Sequence, residues 1–328
     1  METITITHGK YRGQTVKNQT FELVKPVQQG KKGHFVTVRP NDKVGVGRDK
    51  IRITITPNNI KTSKTAKPVE SDQDIVNRIE ARFGILDEMT KASINSDVKA
   101  MIVSGPPGVG KSYGVERELS KANMFDQIAQ TRPKYEVVKG AMTPIGLYKT
   151  LYYHRLKGHV LVFDDCDAVL QDDLSLNILK AALDSGKRRR VYWNADSHLL
   201  RREGIPSSFD FEASVIFITN MKFDNIRSKK LKDHLLALQS RCHYLDLTLD
   251  TMREKFLRVK NISESGELFK NYNYTSEDAK EIIDFMDQNK EVLNEMSLRM
   301  ALKIADLRKI SPARWKFLAM NTCMKHDC

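Results

Sequence analysis

Hydrophobic and polar residues alternate in short runs over the first part of the chain. The runs are rich in β-branched residues, and Gly, Asn, Asp and Pro separate them, which is typical of strands joined by turns. They read "ETITI", "TFELVKPV", "HFVTV" and "KIRITIT". This pattern is typical of a small β-barrel or a sandwich, and residues 1–60 are predicted to form a small β-barrel. Residues 61–71 are polar and rich in lysine and threonine, which predicts a linker.

The pattern changes at Asp72, from which hydrophobic residues recur at helical spacing. Helical segments then alternate with continuous hydrophobic runs, an order that favours a parallel sheet covered by helices on both faces. The runs are "AMIVSG", "YEVVKG", "HVLVFDD", "SVIFITN" and "CHYLDL". Residues 72–249 are predicted to form this α/β domain. Residues 250–328 show helical spacing only, which predicts a separate helical lid.

The segment "GPPGVGKS" matches the phosphate-binding pattern G-x-x-x-x-G-K-[ST]. It lies between a hydrophobic run and a helical segment, as that pattern requires. The glycines let the loop turn its N–H groups inward, where they bind phosphate oxygens together with the helix N-terminus. Lys111 is expected to reach the β- and γ-phosphates, and Ser112 to offer its hydroxyl to Mg²⁺. The predicted nucleotide-binding residues are Gly105, Pro106, Pro107, Gly108, Val109, Gly110, Lys111 and Ser112.

The hydrophobic run "VLVFDD" ends in two aspartates, which a parallel strand would place at its carboxyl end. Asp164 is the expected partner of Mg²⁺. Asp165 then stands where a base for an attacking water is needed. Alternatively, Asp165 only caps the strand or pairs with a cation.

Residues 72–322 resemble the AAA+ ATPases. "GPPGVGKS" and "VLVFDD" are similar to the Walker A and Walker B motifs of that family, although the family usually ends Walker B in Asp-Glu. The resemblance implies an ATPase that binds ATP and Mg²⁺. The departure at Asp165 bears on the rate of hydrolysis rather than on nucleotide binding.

Three further segments resemble family motifs. "VIFITN" is similar to the sensor 1 strand, which implies that Asn220 positions the attacking water; alternatively it is a turn residue. "LLALQSRCHYLDL" resembles the segment with the arginine finger, which implies that Arg241 acts on a neighbour's γ-phosphate; otherwise it stabilises a helix end. Arg227 is a second candidate for that role. "MSLRMALKIADL" resembles the sensor 2 helix, with Arg299 facing the nucleotide or, alternatively, solvent.

An arginine finger that acts between subunits implies a homo-oligomer, and the family resemblance implies a hexameric ring. By the same resemblance, Met142 in "KGAMTPIGLYK" is placed in a pore loop that contacts substrate. Alternatively, this methionine packs in the core.

The positive charge of the chain is concentrated at its start. The net charge is +13, and residues 1–70 hold 14 Lys and Arg against five Asp and Glu. Such a surface favours nucleic acid as the partner, or is simply a solvated basic face. Residues 6–18, "ITHGKYRGQTVKN", resemble the KOW motif of small SH3-like barrels, which often bind RNA or ribosomal partners, although Val16 stands near the place of the usual second glycine. Alternatively, the barrel docks a protein.

A second basic segment, "SGKRRRVYWNADSHLLRREG", interleaves arginines with aromatic residues. Basic side chains neutralise phosphates, and aromatic rings stack on bases. Alternatively, residues 191–193 form a buried strand flanked by arginines of a subunit interface. The candidate substrate-contacting residues are Lys187, Arg188, Arg189, Arg190, Tyr192 and Trp193.

Other features restrict the class of protein. No hydrophobic run approaches the roughly 20 residues of a membrane span. The four cysteines show neither paired metal spacing nor a disulfide framework, which favours a reducing, cytoplasmic compartment. "LKAALDSGK" and "PSSFDFEASVIFITN" resemble AAA+ ATPases of tailed bacteriophages, which implies the host cytoplasm. We expect an ATP-hydrolysing motor or remodeller acting on nucleic acid, such as a loader, translocase or helicase. The alternatives are a protein-remodelling or assembly chaperone that docks its partner through the barrel, and an ATP switch without hydrolysis.

Overall fold

The computed structural model describes residues 2–30, 33–41, 43–45, 49–56, 59–64, 70–128, 133–221, 223, 226 and 228–325. The chain divides into two compact units, Met1–Ser71 and Asp72–Cys328. The strands of the first unit are β1 (Glu2–Tyr11), β2 (Gln14–Gly30), β3 (Gly33–Val38), β4 (Ile51–Ile55) and β5 (Ile60–Lys64).

The first unit is an antiparallel sheet whose ladders return to their starting strand. β1 pairs with β2, β2 with β3, β3 with β4, and β4 again with β1. Alternate residues such as Ile4, Ile6, Val36 and Ile53 point into one shared core, which is why the period of two could be read from the sequence. The closed order is compatible with the predicted small barrel.

Strand β5 extends the sheet into the segment predicted to be a linker. It pairs with residues 2–6 of β1 and so takes up residues 61–64. Its sequence, "IKTSK", has only one hydrophobic residue. The strand is therefore defined by main-chain pairing and carries no side-chain pattern that predicts it. Residues 65–69 of the predicted linker lie outside the described residues.

The second unit begins with a five-stranded parallel sheet and its helices. Its elements are α1 (Asp72–Ile94), β6 (Ala100–Ser104), α2 (Lys111–Ile128), β7 (Tyr135–Lys139), α3 (Pro144–Tyr153), β8 (Val160–Asp164), α4 (Asp167–Gln171), α5 (Asp173–Ala182), β9 (Arg190–Tyr192), α6 (His198–Arg202), β10 (Ser208–Asp210), β11 (Ser214–Thr219), α7 (Lys229–Gln239) and β12 (His243–Asp246). The strand order is β12-β6-β11-β8-β7, with β9 and β10 forming a separate antiparallel hairpin.

Both faces of the parallel sheet are buried. In β8, Leu161 and Phe163 belong to one hydrophobic cluster, whereas Val160 and Val162 belong to another on the opposite face. This two-sided burial explains the continuous hydrophobic runs, because no position of a central strand faces water.

Four helices follow the sheet and contain a hydrophobic core of their own. They are α8 (Met252–Glu264), α9 (Ser276–Gln288), α10 (Leu298–Ile310) and α11 (Trp315–Thr322). Val259, Phe285, Met300, Ile304 and Trp315 are among the buried residues of this core. A parallel α/β sheet followed by a helical lid is the fold expected from the resemblance to AAA+ ATPases, and this expectation is confirmed.

Candidate functional site

The carboxyl ends of β6, β8 and β11 meet at one edge of the sheet because these strands are parallel neighbours. The loop after β6 is the predicted P-loop, and α2 begins at its lysine. Gly108 has φ +72° and Gly110 has φ +99°, left-handed conformations that glycine adopts without strain. The loop thus leads directly into the N-terminus of an 18-residue helix, whose first N–H groups have no intrahelical partner and can bind an anion.

Lys111 is buried at the centre of this loop. Its Nζ donates to the carbonyl oxygens of Gly105 and Pro106 and to Oδ1 of Asn220, each at 2.8 Å. Burial lowers the pKa of Lys111 to about 8, although Asp165 and Asp164 oppose this effect. The ammonium group of Lys111 is therefore desolvated, and it attracts an anionic ligand more strongly than an exposed lysine would.

Ser112 and Asp164 form the second part of the site. Ser112 Oγ donates to Asp164 Oδ1 at 2.9 Å, which joins the start of α2 to the end of β8. Lys139 Nζ lies 3.3 Å from the other carboxylate oxygen, Asp164 Oδ2, and 2.7 Å from Glu116. Lys139 was not predicted. Its position at the carboxyl end of β7, the neighbour of β8, is the signal that would have found it.

Asp165 and Asn220 form the third part. Asp165 adopts φ +53°, an unusual conformation for a residue other than glycine, and its N–H donates to the carbonyl of Ile218. Asn220 Nδ2 donates to Asp165 Oδ1 at 2.8 Å. Burial, with a smaller effect from Asp164, raises the pKa of Asp165. A continuous hydrogen-bonded chain thus runs from Lys111 through Asn220 to Asp165.

The donor set fits a hard divalent cation. Mg²⁺ takes oxygen ligands and commonly binds through one or two carboxylates together with substrate phosphates and water. Ser112 Oγ and Asp164 provide oxygens of this kind. Over the described ranges, no group of three or more His, Cys, Asp or Glu side chains is arranged to hold a metal by itself.

The helical lid contacts the P-loop and lines the cavity opposite the sheet edge. The N–H of Leu298, the first residue of α10, donates to the carbonyl of Gly108 at 2.8 Å. Arg299 is exposed and lines the same cavity as the P-loop, Asp164, Asp165 and Asn220. This cavity measures about 840 Å³ and extends between the sheet edge and the lid. It has the size expected of a small-molecule site.

Arg241 is not brought into this cavity. It follows α7, and its Nη1 donates to the carbonyl of Ala237 at 2.7 Å. Its Nε lies 3.9 Å from Asp184 and has no hydrogen-bond partner. The other candidate, Arg227, lies outside the described residues.

Met142 differs from the expectation of an exposed pore-loop residue. It precedes α3 and packs, partly buried, against the core on one face of the sheet. Its Cγ would lie 3.3 Å from a Cβ placed on Gly146. Methionine is apolar, and the helix that follows brings it back onto the sheet. Its side chain therefore packs against the core instead of being exposed in a loop.

Two of the six basic and aromatic candidates are also structural. Arg189 is buried, donates to the carbonyls of Ala182 and Ala213, and lies 5.2 Å from the Phe211 ring. Trp193 is half-buried, with its ring 5.6 Å from that of Tyr148. The β9–β10 hairpin turns alternate residues inward, which buries Arg189 and packs Trp193, partly buried, against the core.

The remaining four candidates lie at the surface. They are Lys187, Arg188, Arg190 and Tyr192. Arg188 is paired with Asp210 through three contacts of 2.7 to 3.0 Å. Arg190 lies 5.7 Å from the Tyr192 ring. Four of the six predicted residues therefore form an exposed basic and aromatic surface at the hairpin.

No helix within the described residues is both long and hydrophobic enough to cross a membrane.

Comparison with known proteins gives one strong relative. No protein-family model matches the chain. The "Uncharacterized 36.7 kDa protein in nrdC-mobD intergenic region" of Enterobacteria phage T4 is 33% identical over 328 residues, and the match covers 97% of each chain.

Solved structures are similar at much lower identity. The replication initiator DnaA bound to AMPPCP and single-stranded DNA is 13% identical with a TM-score of 0.42, over 79% of this chain and 70% of that one. Domain III of the Thermotoga maritima replication initiation protein DnaA is 10% identical with a TM-score of 0.42, over 80% of this chain and 100% of that one.

Proposed function

The chain belongs to the same protein family as the 36.7 kDa protein of Enterobacteria phage T4 and has the AAA+ fold, and we propose that it is an ATPase. The observation that carries this proposal is the set of side chains at the carboxyl edge of the sheet. A buried P-loop lysine, a serine–aspartate pair and an asparagine–aspartate pair border one cavity. These are the groups that position a nucleoside triphosphate and an attacking water.

Lys111 is the proposed ligand of the β- and γ-phosphates. The Lys111 ammonium donates three hydrogen bonds, two to neutral carbonyls and one to an amide oxygen. A phosphate oxygen carries charge and therefore accepts a stronger hydrogen bond from an ammonium group. We expect Lys111 to exchange these contacts for phosphate oxygens when ATP binds, which also frees Asn220 to orient water.

Ser112 and Asp164 would hold Mg²⁺. Bound there, Mg²⁺ would supply positive charge against the negative charge that develops on the phosphates during transfer. Lys139 must share Asp164 with the ion, because it contacts the second oxygen of that carboxylate.

Asp165 is the proposed general base. Attack of water on the γ-phosphorus forms one P–O bond and breaks the bond to the β,γ-bridging oxygen, while Asp165 accepts the proton of the water. The raised pKa of Asp165 brings this carboxylate closer to the optimum for a base at neutral pH. Asn220 donates a hydrogen bond to one oxygen of the Asp165 carboxylate. The ATP-switch alternative predicts that bound ATP persists in a single-turnover experiment.

Arg241 supports a homo-oligomeric form, for which we propose a hexameric ring. The side chain does not line the cavity of its own chain and is 31% exposed. To stabilise the charge on the γ-phosphate of a neighbouring subunit, Arg241 would exchange its contacts with Ala237 and Asp184 for that phosphate.

Nucleic acid is the proposed substrate of the motor. Support comes from the exposed basic and aromatic residues of the β9–β10 hairpin and from the excess of lysine and arginine in residues 1–70. The three described cysteines are free thiols, in keeping with a place of action in the host cytoplasm.

The test is the steady-state ATPase rate without polymer and with single-stranded DNA, duplex DNA or RNA, at low and moderate salt. We expect stimulation by one polymer that declines as salt rises, because phosphate contacts release counterions. The Lys111→Ala variant should bind no ATP. If none of the three polymers changes the wild-type ATPase rate, the proposed substrate becomes a protein docked by the first unit. If the wild-type chain does not bind ATP, the ATPase proposal is refuted.

A further inference from the structure

Arg258, on α8 of the lid, is a buried cation without a partner. It is 8% exposed. Its guanidinium makes no hydrogen bond or ion pair with any residue that the structure describes, and its Nε is fully enclosed. Burying an arginine in this way is costly, since charged groups inside proteins are normally paired.

The polar groups around Arg258 are already committed elsewhere. On the same helix, Arg253 pairs with Asp72, Glu254 with Arg78 and Asn261 with Glu80. These pairs join α8 to α1, and Arg258 lies between them in sequence.

Two further acidic residues near Arg258 are bound to another arginine. Asp87 lies 2.6 Å and Glu267 lies 3.6 Å from Arg117. Desolvation lowers the pKa of Arg258 to about 10, although Glu80 and Asp87 oppose it. The guanidinium instead lies over the Phe83 ring, 3.6 Å from its centroid. Phe83 thus fixes the orientation of Arg258 without neutralising it.

The free guanidinium lies beside the P-loop. A Cβ placed on Gly110 would be 3.9 Å from Arg258 Nη2 and 3.3 Å from Leu298 Cδ1. Ile262, one helical turn after Arg258, lines the cavity together with Gly110. Gly110 belongs to the part of the loop whose N–H groups hold the α- and β-phosphates. The unpaired cation therefore lies directly behind residues that line the proposed nucleotide site.

We infer that Arg258 is a lid ligand of the α- and β-phosphates of a bound nucleoside diphosphate or triphosphate. This inference rests on the proposed function. A diphosphate group supplies the direct anionic contact that no described side chain makes with Arg258, and guanidinium binds phosphate oxygens with paired N–H donors. Because these phosphates occur in ADP and ATP alike, Arg258 holds the lid on both nucleotides.

The test is a fluorescence titration of the full chain with a labelled ADP, and competition by ATP, for four proteins. They are wild type, Arg258→Met, Arg258→Lys and Arg253→Met. We expect Arg258→Met to weaken ADP and ATP equally, by about tenfold or more, because a charge-assisted contact is lost. Arg258→Lys should recover part of the affinity. Arg253→Met removes an exposed arginine from the same helix and should bind as wild type does.

Thermal unfolding without nucleotide separates a ligand contact from a structural one. Arg258→Met removes an unpaired buried charge and retains contact with Phe83, so its melting temperature should equal or exceed that of the wild type. Wild-type nucleotide affinity in Arg258→Met, or a lowered melting temperature with unchanged affinity, would overturn the inference and leave the ATPase standing. No ADP binding by the wild type would remove both.

Discussion

Replacing Lys111 by methionine should change how the stability of the second unit depends on pH. Lys111 is 5% exposed, and its pKa is lowered from 10.5 to about 8, first by burial. The folded unit therefore disfavours the charged lysine, whereas the unfolded chain does not. Methionine has similar length and no charge, so it removes this term while keeping most of the packing.

The magnitude follows from the pKa difference. At about 1.4 kcal/mol for each pKa unit, the charged form of Lys111 costs the folded state about 3 kcal/mol below pH 8. The unfolded chain binds more protons between pH 8 and 10.5, so the free energy of unfolding of the wild type rises with pH across that window. Lys111→Met lacks this rise. The carbonyls and Asn220 that lose their donor cost the variant about 1–3 kcal/mol at every pH.

Urea unfolding of both proteins at pH 7, 8, 9 and 10, followed by tryptophan fluorescence, measures the effect. The chain has two tryptophans, Trp193 and Trp315, and both lie in the second unit, so the signal reports that unit alone. The stability of the wild type relative to the variant should increase by about 2–3 kcal/mol from pH 7 to 10. A difference that stays constant over this range would refute the reasoning, because Lys111 would then bear no cost of burial.

Further predictions concern three other arginines. Arg241→Ala should bind ATP normally but hydrolyse it about a thousandfold more slowly, and mixing it with Asp165→Asn subunits should restore activity; hydrolysis at the wild-type rate by Arg241→Ala alone would exclude the role between subunits. Arg189→Leu should lower the free energy of unfolding by about 2–4 kcal/mol, because two buried carbonyls lose their donor. Arg188→Ala should leave stability near the wild-type value and weaken polynucleotide binding; the reverse order in the two unfolding curves would contradict the assignment of Arg189 to the core.

The sequence predicted those parts of the fold whose side chains have one dominant environment. Strands β6, β8 and β11 are buried on both faces, so their continuous hydrophobic runs predict central strands of a parallel sheet. The carboxyl ends of parallel strands meet at one edge, so the strand order alone predicts that Lys111, Asp164, Asp165 and Asn220 lie close together. The P-loop was predictable because its phosphate-binding conformation needs glycines at fixed spacing.

The sequence could not predict positions where tertiary packing reverses the usual preference of a residue. Arg189 and Trp193 have the composition of a polynucleotide-binding surface, yet the hairpin turns them toward the core. Arg258 belongs to no motif, and its burial without a partner depends on how α8 packs against α1. Strand β5 had no alternating pattern, because its place in the sheet depends on the partner strand rather than on its own side chains.

The P-loop glycines also explain why the lid and the phosphate site must respond together. A Cβ on Gly108 would lie 2.7 Å from Ser297 Cβ, closer than two such atoms can approach. Leu298 at the start of α10 donates to the carbonyl of the same glycine, and Arg258 from α8 lies beside Gly110. The bare backbone of the loop is thus packed against two lid helices as well as shaped for phosphate. Any shift of the loop toward a ligand must move these contacts, so nucleotide binding and lid position are coupled by direct contact rather than through the sheet.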